Sequence, residues 1–337
     1  MKIGRYARIG FAALLGTVVA TVTGTGQQPR AEAPLPNVLI IVTDDQRAAG
    51  TLGVMDATRA TFETHGARFT DAYATTPLCC PSRASIFTGR YAHNHQLHTD
   101  YNDSSFKDHA DELQQSTLQR YLHDAGYTTG VYGKYFNGWS LDENPPYFDR
   151  WGIFTKNYYD TTVNLDGTVK TIDQYSTSFV ANHGLDFIDQ TESNDTQPWF
   201  LYLAPYAPHD PQTPAPKYRN IDVPKFHRNP ATLEEDRRDK PDFAQQEPPT
   251  LKTIKTIHRR QLRTLLSVDD MVGRIFGTLR RQGEQNTLAF FIGDNGYLWG
   301  EHGLLEKDVP YTDSIRVPLM MRWPGHVTAG TVDDRIA

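Results

Sequence analysis

Four apolar runs constrain this chain more than any other feature. They are Pro36-Asn-Val-Leu-Ile-Ile-Val-Thr43, Thr128-Thr-Gly-Val-Tyr-Gly133-Lys134, Pro198-Trp-Phe-Leu-Tyr-Leu-Ala204 and Thr287-Leu-Ala-Phe-Phe-Ile-Gly293. Continuous apolar runs of this length predict strands buried on both faces, as in a parallel sheet covered by helices. Each run ends in polar chemistry: Asp44-Asp45-Gln46 after the first, Lys134 at the end of the second, Pro205 to Pro211 with His209 after the third, and Asp294-Asn295-Gly296 after the fourth. Open α/β sheets keep their sites at the carboxyl edge of the strands. These residues, distant in sequence, are therefore expected together.

The chemistry of that edge follows from the residue types. Asp44 and Asp45, completed by Asp294 and Asn295, offer the oxygen ligands that a hard divalent cation such as calcium or magnesium takes. Lys134 at a strand end is placed to neutralise a sulfate or phosphate oxygen. His209, held between Pro208 and Pro211, has a restricted backbone and the chemistry of a general acid.

Between the strands, helices are predicted over residues 57–65, 116–125, 176–190 and 254–281, extended segments over 67–73 and 316–322, and a hairpin turn at Asp166-Gly167. Residues 211–249 are Pro-rich and charged, which predicts a long surface excursion. Asp269 and Asp270 point in different directions on one helix and are read as structural. A chain of 337 residues suits one large α/β domain.

The N-terminus carries Lys2, Arg5 and Arg8, an apolar run over 9–22, and Ala31-Glu32-Ala33. That order predicts a signal peptide with its linker over 1–33, a catalytic domain over 34–337, secretion, and no stable membrane insertion once the signal is cleaved. A net charge of −6 without a long basic block argues against nucleic acid as a partner.

Both cysteines of the chain are adjacent, in Cys79-Cys80-Pro81-Ser82-Arg83, so no disulfide framework and no paired thiolate metal site is expected. Pro81 suits a first helical turn, Ser or Thr can cap it, and Cys79 would sit beside free backbone donors and an arginine.

This string, with Thr88-Gly89-Arg90 after it, resembles the signature of type I sulfatases, in which the first cysteine is oxidised to formylglycine. The resemblance runs from Pro36 to about Pro324. His93-Asn94-His95, Gly133-Lys134-Tyr135-Phe136-Asn137 and Leu265-Leu-Ser-Val-Asp269-Asp270 look most like N-acetylglucosamine-6-sulfatases, and Gly300-Glu301-His302-Gly303 looks like arylsulfatases.

The resemblance implies an alkaline-phosphatase-like fold, a large mixed, mostly parallel sheet flanked by helices, and a sulfuric ester hydrolase acting on a sulfated carbohydrate or aryl sulfate. It implies calcium, with magnesium as an alternative, held by Asp44, Asp45, Asp294, Asn295 and the Cys79-derived formylglycine, which a formylglycine-generating enzyme would install. Arg83, Lys134 and Lys307 would hold the nucleophile and the sulfate oxygens, and His209 would protonate the departing alcohol. Asn137 and His93 are expected to contact substrate. Many members carry a histidine where this chain has Phe136; His95 or His302 is expected to supply that base. Members generally continue into a smaller C-terminal region with a short sheet, which is expected to be missing here. Two alternatives share these features: a phosphate or phosphonate monoester hydrolase of the same superfamily, and a non-catalytic protein that binds sulfated glycan.

Overall fold

The first apolar run folds as strand β1 (Asn37–Thr43), buried at every position. The computed structural model describes residues 34–100, 112–193 and 196–337, and the expected signal peptide and linker lie outside them. Side chains alternate across a strand. Leu39 and Ile41 therefore enter one core while Val38, Ile40 and Val42 enter another on the opposite face. That two-sided burial is why the run lacks polar alternation.

Next along the chain come β2 (Ala67–Asp71), β3 (Thr128–Lys134), β4 (Arg150–Phe154), the hairpin β5 (Thr161–Leu165) and β6 (Thr168–Ile172), then β7 (Trp199–Ala204) and β8 (Thr287–Gly293). The strands β8-β1-β7-β3-β4 are neighbours and mutually parallel. Asp166 and Gly167 close the hairpin with φ of 46° and 87°, the left-handed pair that a two-residue turn of this hand requires. A short antiparallel pair, β9 (Leu298–Trp299) with β10 (Leu305–Glu306), follows β8.

The sheet becomes mixed at its edges. β11 (Leu319–Arg322) runs antiparallel to both β8 and β2, and β12 (Thr331–Ile336) pairs in parallel with β2. The complete order is β12-β2-β11-β8-β1-β7-β3-β4-β5-β6. The strand expected over 316–322 starts only at Leu319, directly after Pro318, which has no N–H to give to a ladder. On β8 only alternate residues are fully buried, so its second face is less covered than a continuous apolar run suggests.

Helices cover both faces. The first, α1 (Asp56–Arg59), continues as a π-helical turn over Ala60–Thr64. Then come α2 (Cys79–Thr88), α3 (Ala92–His95), α4 (Leu118–Asp124), α5 (Ser176–Glu192) and α6 (Leu251–Gln282). Phe179 and Phe187 of α5 and Leu265, Val272 and Ile275 of α6 pack with Leu39 and Ile41. Phe87 of α2 packs on the other face with Tyr202 and Phe136. Asp269 of α6 accepts from the backbone N–H groups of Ala57 and Thr58, and Asp270 pairs with Lys217 and Tyr218, so both acids serve the fold. Residues 211–249 form the expected excursion, with only the short helical turns Pro216–Tyr218 and Asp242–Ala244.

Candidate active site

Cys79 is the first residue of α2 and is fully buried. The helix start differs from expectation: Leu78 holds the N-cap position and makes no side-chain cap. Asp100 supplies it instead, its Oδ1 accepting from the Cys80 N–H at 2.5 Å. A carboxylate there also suits the positive end of the helix dipole. Ser82 turns its hydroxyl to the Asp294 carbonyl oxygen, which ties α2 to the end of β8. Both thiols are free; Cys80 lies in the apolar core, and burial, with Asp100, pushes its thiol up to about 12.

The strand ends converge on Cys79. Its Sγ donates to Asp44 Oδ1 at 3.3 Å and lies 3.7 Å from Asp45 Oδ1. Lys307 Nζ reaches the same sulfur at 3.3 Å and also bonds Asp45. Lys134 Nζ donates to Asp44 Oδ2 at 2.7 Å. Arg83, fully buried, donates through Nε to Asp294 Oδ2 at 2.9 Å and through a terminal nitrogen to the Lys134 carbonyl at 2.7 Å. Gly133 allows this arrangement: at φ 116° it approaches Ala204 so closely that a Cβ would lie 2.0 Å from that carbonyl oxygen.

His209 completes the ring. Its Nδ1 faces the Asp210 carbonyl oxygen at 2.8 Å, its Nε2 lies 3.7 Å from Asp45 Oδ2, and its ring stacks on Tyr206 at 4.6 Å. The peptide bonds before Pro208 and Pro211, which flank it, are both cis. Ligand atoms of Asp44, Asp45, Cys79 and His209 all lie within 4.8 Å of one another.

Charge is balanced here, three carboxylates (Asp44, Asp45, Asp294) against three cations (Arg83, Lys134, Lys307). Burial alone would raise the Asp44 carboxyl, but Lys134, His209, Arg83 and Lys307 hold it far below the ordinary range. Burial acts on Asp45 too, and Lys307 and His209 overcome it. Asp294 is different: burial, reinforced by Asp44, pushes its carboxyl up to about 6. For the Cys79 thiol, burial and Asp44 outweigh both lysines and raise its pKa well above the usual value. That direction favours the protonated thiol over the thiolate.

These residues fit a divalent cation. Asn295 Oδ1 is buried without a hydrogen-bond partner while its Nδ2 donates to Asp45 Oδ1 at 2.8 Å, so a turned amide would present an oxygen to the same carboxylate's ion. A cation would also relieve Asp294, the carboxylate short of positive charge. As placed, Asp294 Oδ1 accepts from the N–H groups of Asp45 and Asn295 at 3.0 and 2.8 Å. The first of these bonds holds Asp45 at a left-handed φ of 68°, a conformation costing about 1–3 kcal/mol that is characteristic of functional sites.

A cavity of about 340 Å³ opens beside the ring, lined by Asp100, Lys134, Asn137, Thr155, Lys156, Tyr206 and His209. A larger cavity of about 520 Å³, with Arg59, Glu63, Arg68 and Arg316 among its walls, contains none of the ring residues. Asn137 lines the smaller cavity. His93 does not: it is exposed, stacks on Tyr91 at 5.8 Å, and is absent from the cavity wall. Among the described residues, neither His95 nor His302 has a hydrogen bond to Cys79. His95 Nδ1 accepts from the Leu97 N–H and its Nε2 faces Ser85 Oγ at 3.1 Å. His302 Nδ1 pairs with Glu234 at 2.8 Å and its ring packs on Tyr311. His95 is thus held by α2 and its own loop, His302 by the 211–249 excursion, and Phe136 sits in the apolar core.

Sequence reasoning did not single out Thr155, Lys156, Tyr206 or Asp100, which line the cavity, nor Arg47 after β1. Arg47 pairs with Glu301 at 3.0 Å and Asp313 at 2.8 Å, tying the segment after β1 to residues on either side of Lys307. The available signal was position: Arg47 follows Asp45 by two residues, and Thr155 follows a strand adjacent to β3.

Residues 36–337 match the Sulfatase family model. The putative extracellular sulfatase Sulf-1 homolog of Caenorhabditis elegans is 35% identical over 305 residues, covering 86% of this chain and 43% of the relative. The human N-acetylglucosamine-6-sulfatase is 34% identical over 315 residues, covering 86% of this chain and 56% of the relative. The chain thus spans about half the length of these relatives. Among solved structures, a protein bound to its substrate D-glucosamine-2-N,6-O-disulfate superposes with a TM-score of 0.69 at 23% identity, over 89% of this chain and 73% of the other. The phosphonate monoester hydrolase of Silicibacter pomeroyi superposes at 0.65 with 22% identity, over 89% and 70%. The fold is shared with both solved structures, and on the family match over residues 36–337 together with the strand-end ring around Cys79, the chain belongs to the sulfatase family.

Proposed function

We propose that this chain is a sulfuric ester hydrolase that releases sulfate from a sulfated sugar, using a formylglycine made from Cys79 by a formylglycine-generating enzyme. The observation that carries the proposal is Cys79 Sγ within 3.3 Å of both Asp44 and Lys307 inside a buried ring of ionised groups. Because the thiol is held protonated, an oxygen nucleophile suits position 79 better than sulfur does. Formylglycine, when hydrated, supplies that oxygen. Asp44, Asp45, Asp294 and Asn295 are the residues that would hold calcium, or magnesium in its place; the ion supplies a Lewis acid beside position 79.

The chain's own side chains then have distinct roles. Lys307 and Lys134 present ammonium groups to the anionic ester and stabilise charge on its oxygens. Arg83 donates to Asp294 and to the Lys134 carbonyl, which fixes α2 relative to β3, and its other terminal nitrogen is buried without a hydrogen-bond partner, free to meet an oxygen of the bound ester. His209 Nδ1 is held by the Asp210 carbonyl, which leaves Nε2 to carry a proton to the departing oxygen. Export fits the extracellular sulfatase named among the relatives and the predicted signal at 1–33; residues 34–337 would be the catalytic domain. No helix among the described residues is long and apolar enough to cross a membrane.

Comparing release from 4-nitrophenyl sulfate with that from 4-nitrophenyl phosphate and phenylphosphonate tests the reading. Sulfate release dominating supports it; dominant phosphorus ester cleavage would instead establish the phosphonate-type activity that the shared fold also accommodates. His209→Ala is expected to lower kcat on a sugar 6-sulfate by about 10²–10⁴-fold and on 4-nitrophenyl sulfate far less, since nitrophenolate leaves without a proton. Equal losses on both would refute the acid role.

Calcium affinity is expected to depend on pH with a defined sign. The ion requires ionised Asp294, whose carboxyl is raised to about 6 in the folded metal-free protein. Protons therefore compete, and calorimetric affinity should fall as pH drops through about 6 and level off above it. Affinity unchanged between pH 7.5 and 5 would remove Asp294 from the ligand set.

A further inference from the structure

We propose that Lys156 is a specificity-determining residue whose ammonium binds a second anionic group on the sugar, separate from the ester sulfate at Cys79. This names a substrate class for the sulfatase reading and rests on it. Substrates bearing a neighbouring N-sulfate, a further O-sulfate or a uronate carboxylate fit it, since each presents a compact anion to one cation.

The position follows from the sheet. β4 pairs with β3 so that Phe154 lies opposite Lys134, and Lys156 stands two residues past the end of β4 on the same edge. Both lysines line the cavity beside His209, and their environments differ. The Lys134 ammonium is buried and neutralised by Asp44 at 2.7 Å. Lys156 is exposed and has no carboxylate within ion-pair distance among the described residues. Asp100, on the same wall, has its Oδ1 engaged as the cap of α2. An uncompensated cation at the rim of a cavity whose floor already holds the ester's cations serves recognition and not the reacting sulfur.

A second group in the wall also lacks a partner. Asn137 Oδ1 is buried and accepts no hydrogen bond. An acceptor near Lys134 and a cation at Lys156 together suit a sugar ring that offers a hydroxyl or N–H to one and an anion to the other. A singly sulfated N-acetyl sugar would satisfy Asn137 alone.

The test compares full-length wild type, Lys156→Ala and Lys156→Arg on four esters: glucosamine 2-N,6-O-disulfate, a uronate-linked disaccharide 6-sulfate, N-acetylglucosamine 6-sulfate and 4-nitrophenyl sulfate. Lys156→Ala is expected to raise KM about tenfold on the doubly anionic esters with kcat little changed. It should leave the two singly anionic esters as they are, and Lys156→Arg should restore most of the affinity. The disulfate and uronate arms separate the two sources of the anion. The wild-type preference should also shrink with added salt, whereas the Lys156→Ala values should not. Equal losses on all four esters, or no loss on either doubly anionic one, would overturn the proposal. Should wild type cleave none of them, the sulfatase reading fails, and calorimetric binding of glucosamine 2-N,6-O-disulfate still decides Lys156: tenfold weaker binding to Lys156→Ala upholds the anion site, and equal binding refutes it.

Discussion

Cys79→Ala is expected to reduce sulfate release by about 10⁴-fold or more, the scale on which removal of a covalent nucleophile acts. Its cost in stability should be about 1 kcal/mol, because a small buried side chain is shortened by one atom. Cys80→Ala serves as the contrast. Its sulfur lies in the apolar core with Phe87 and Ala84, so the same shortening should cost similar stability and leave turnover within about twofold. Turnover and thermal melting measured on both variants separate the roles of adjacent cysteines. Comparable activity in Cys79→Ala would remove position 79 from the chemistry.

Arg83→Ala is expected to give the largest loss of stability of any site substitution, about 3–5 kcal/mol by urea unfolding. The guanidinium is wholly buried and bridges Asp294, Asp44 and the Lys134 carbonyl. Removing it leaves Asp294 facing Asp44 without its closest cation, in a pocket that already pushes the Asp294 carboxyl up to about 6. Arg83→Lys should recover only part of the loss, since one ammonium cannot span the partners that the planar fork reaches. Added calcium should recover more stability in the variant than in wild type. A midpoint within 0.5 kcal/mol of wild type would show that the buried ion pairs are not the brace described here.

Much of this was legible in the chain because the site is built on strand ends. Apolar runs buried on both faces announce themselves without any partner, and the polar residues that end them mark one edge of the sheet. Asp44, Asp45, Lys134 and Asp294 are found together for that reason. The family resemblance supplied what residue types alone leave open, namely the chemistry at Cys79 and the part of Lys307. What escaped depends on tertiary contacts with no local signature. Asp100 caps α2 from 20 residues away, and nothing near Asp100 in sequence says so. The same holds for the partners of His95 and His302, which are Ser85 and Glu234, contacts that their neighbours in sequence do not announce. Lys156 follows a short strand that only its pairing with β3 places at the site.

The central claim is tested most directly by mass spectrometry of the peptide spanning Cys79, on protein made in cells containing a formylglycine-generating enzyme, alongside sulfate release from 4-nitrophenyl sulfate. Conversion of thiol to aldehyde lowers the mass by about 18 Da. The account predicts that shift, with release rising in proportion to the converted fraction. Full release from protein with an intact Cys79 thiol, or none from fully converted protein, would contradict it.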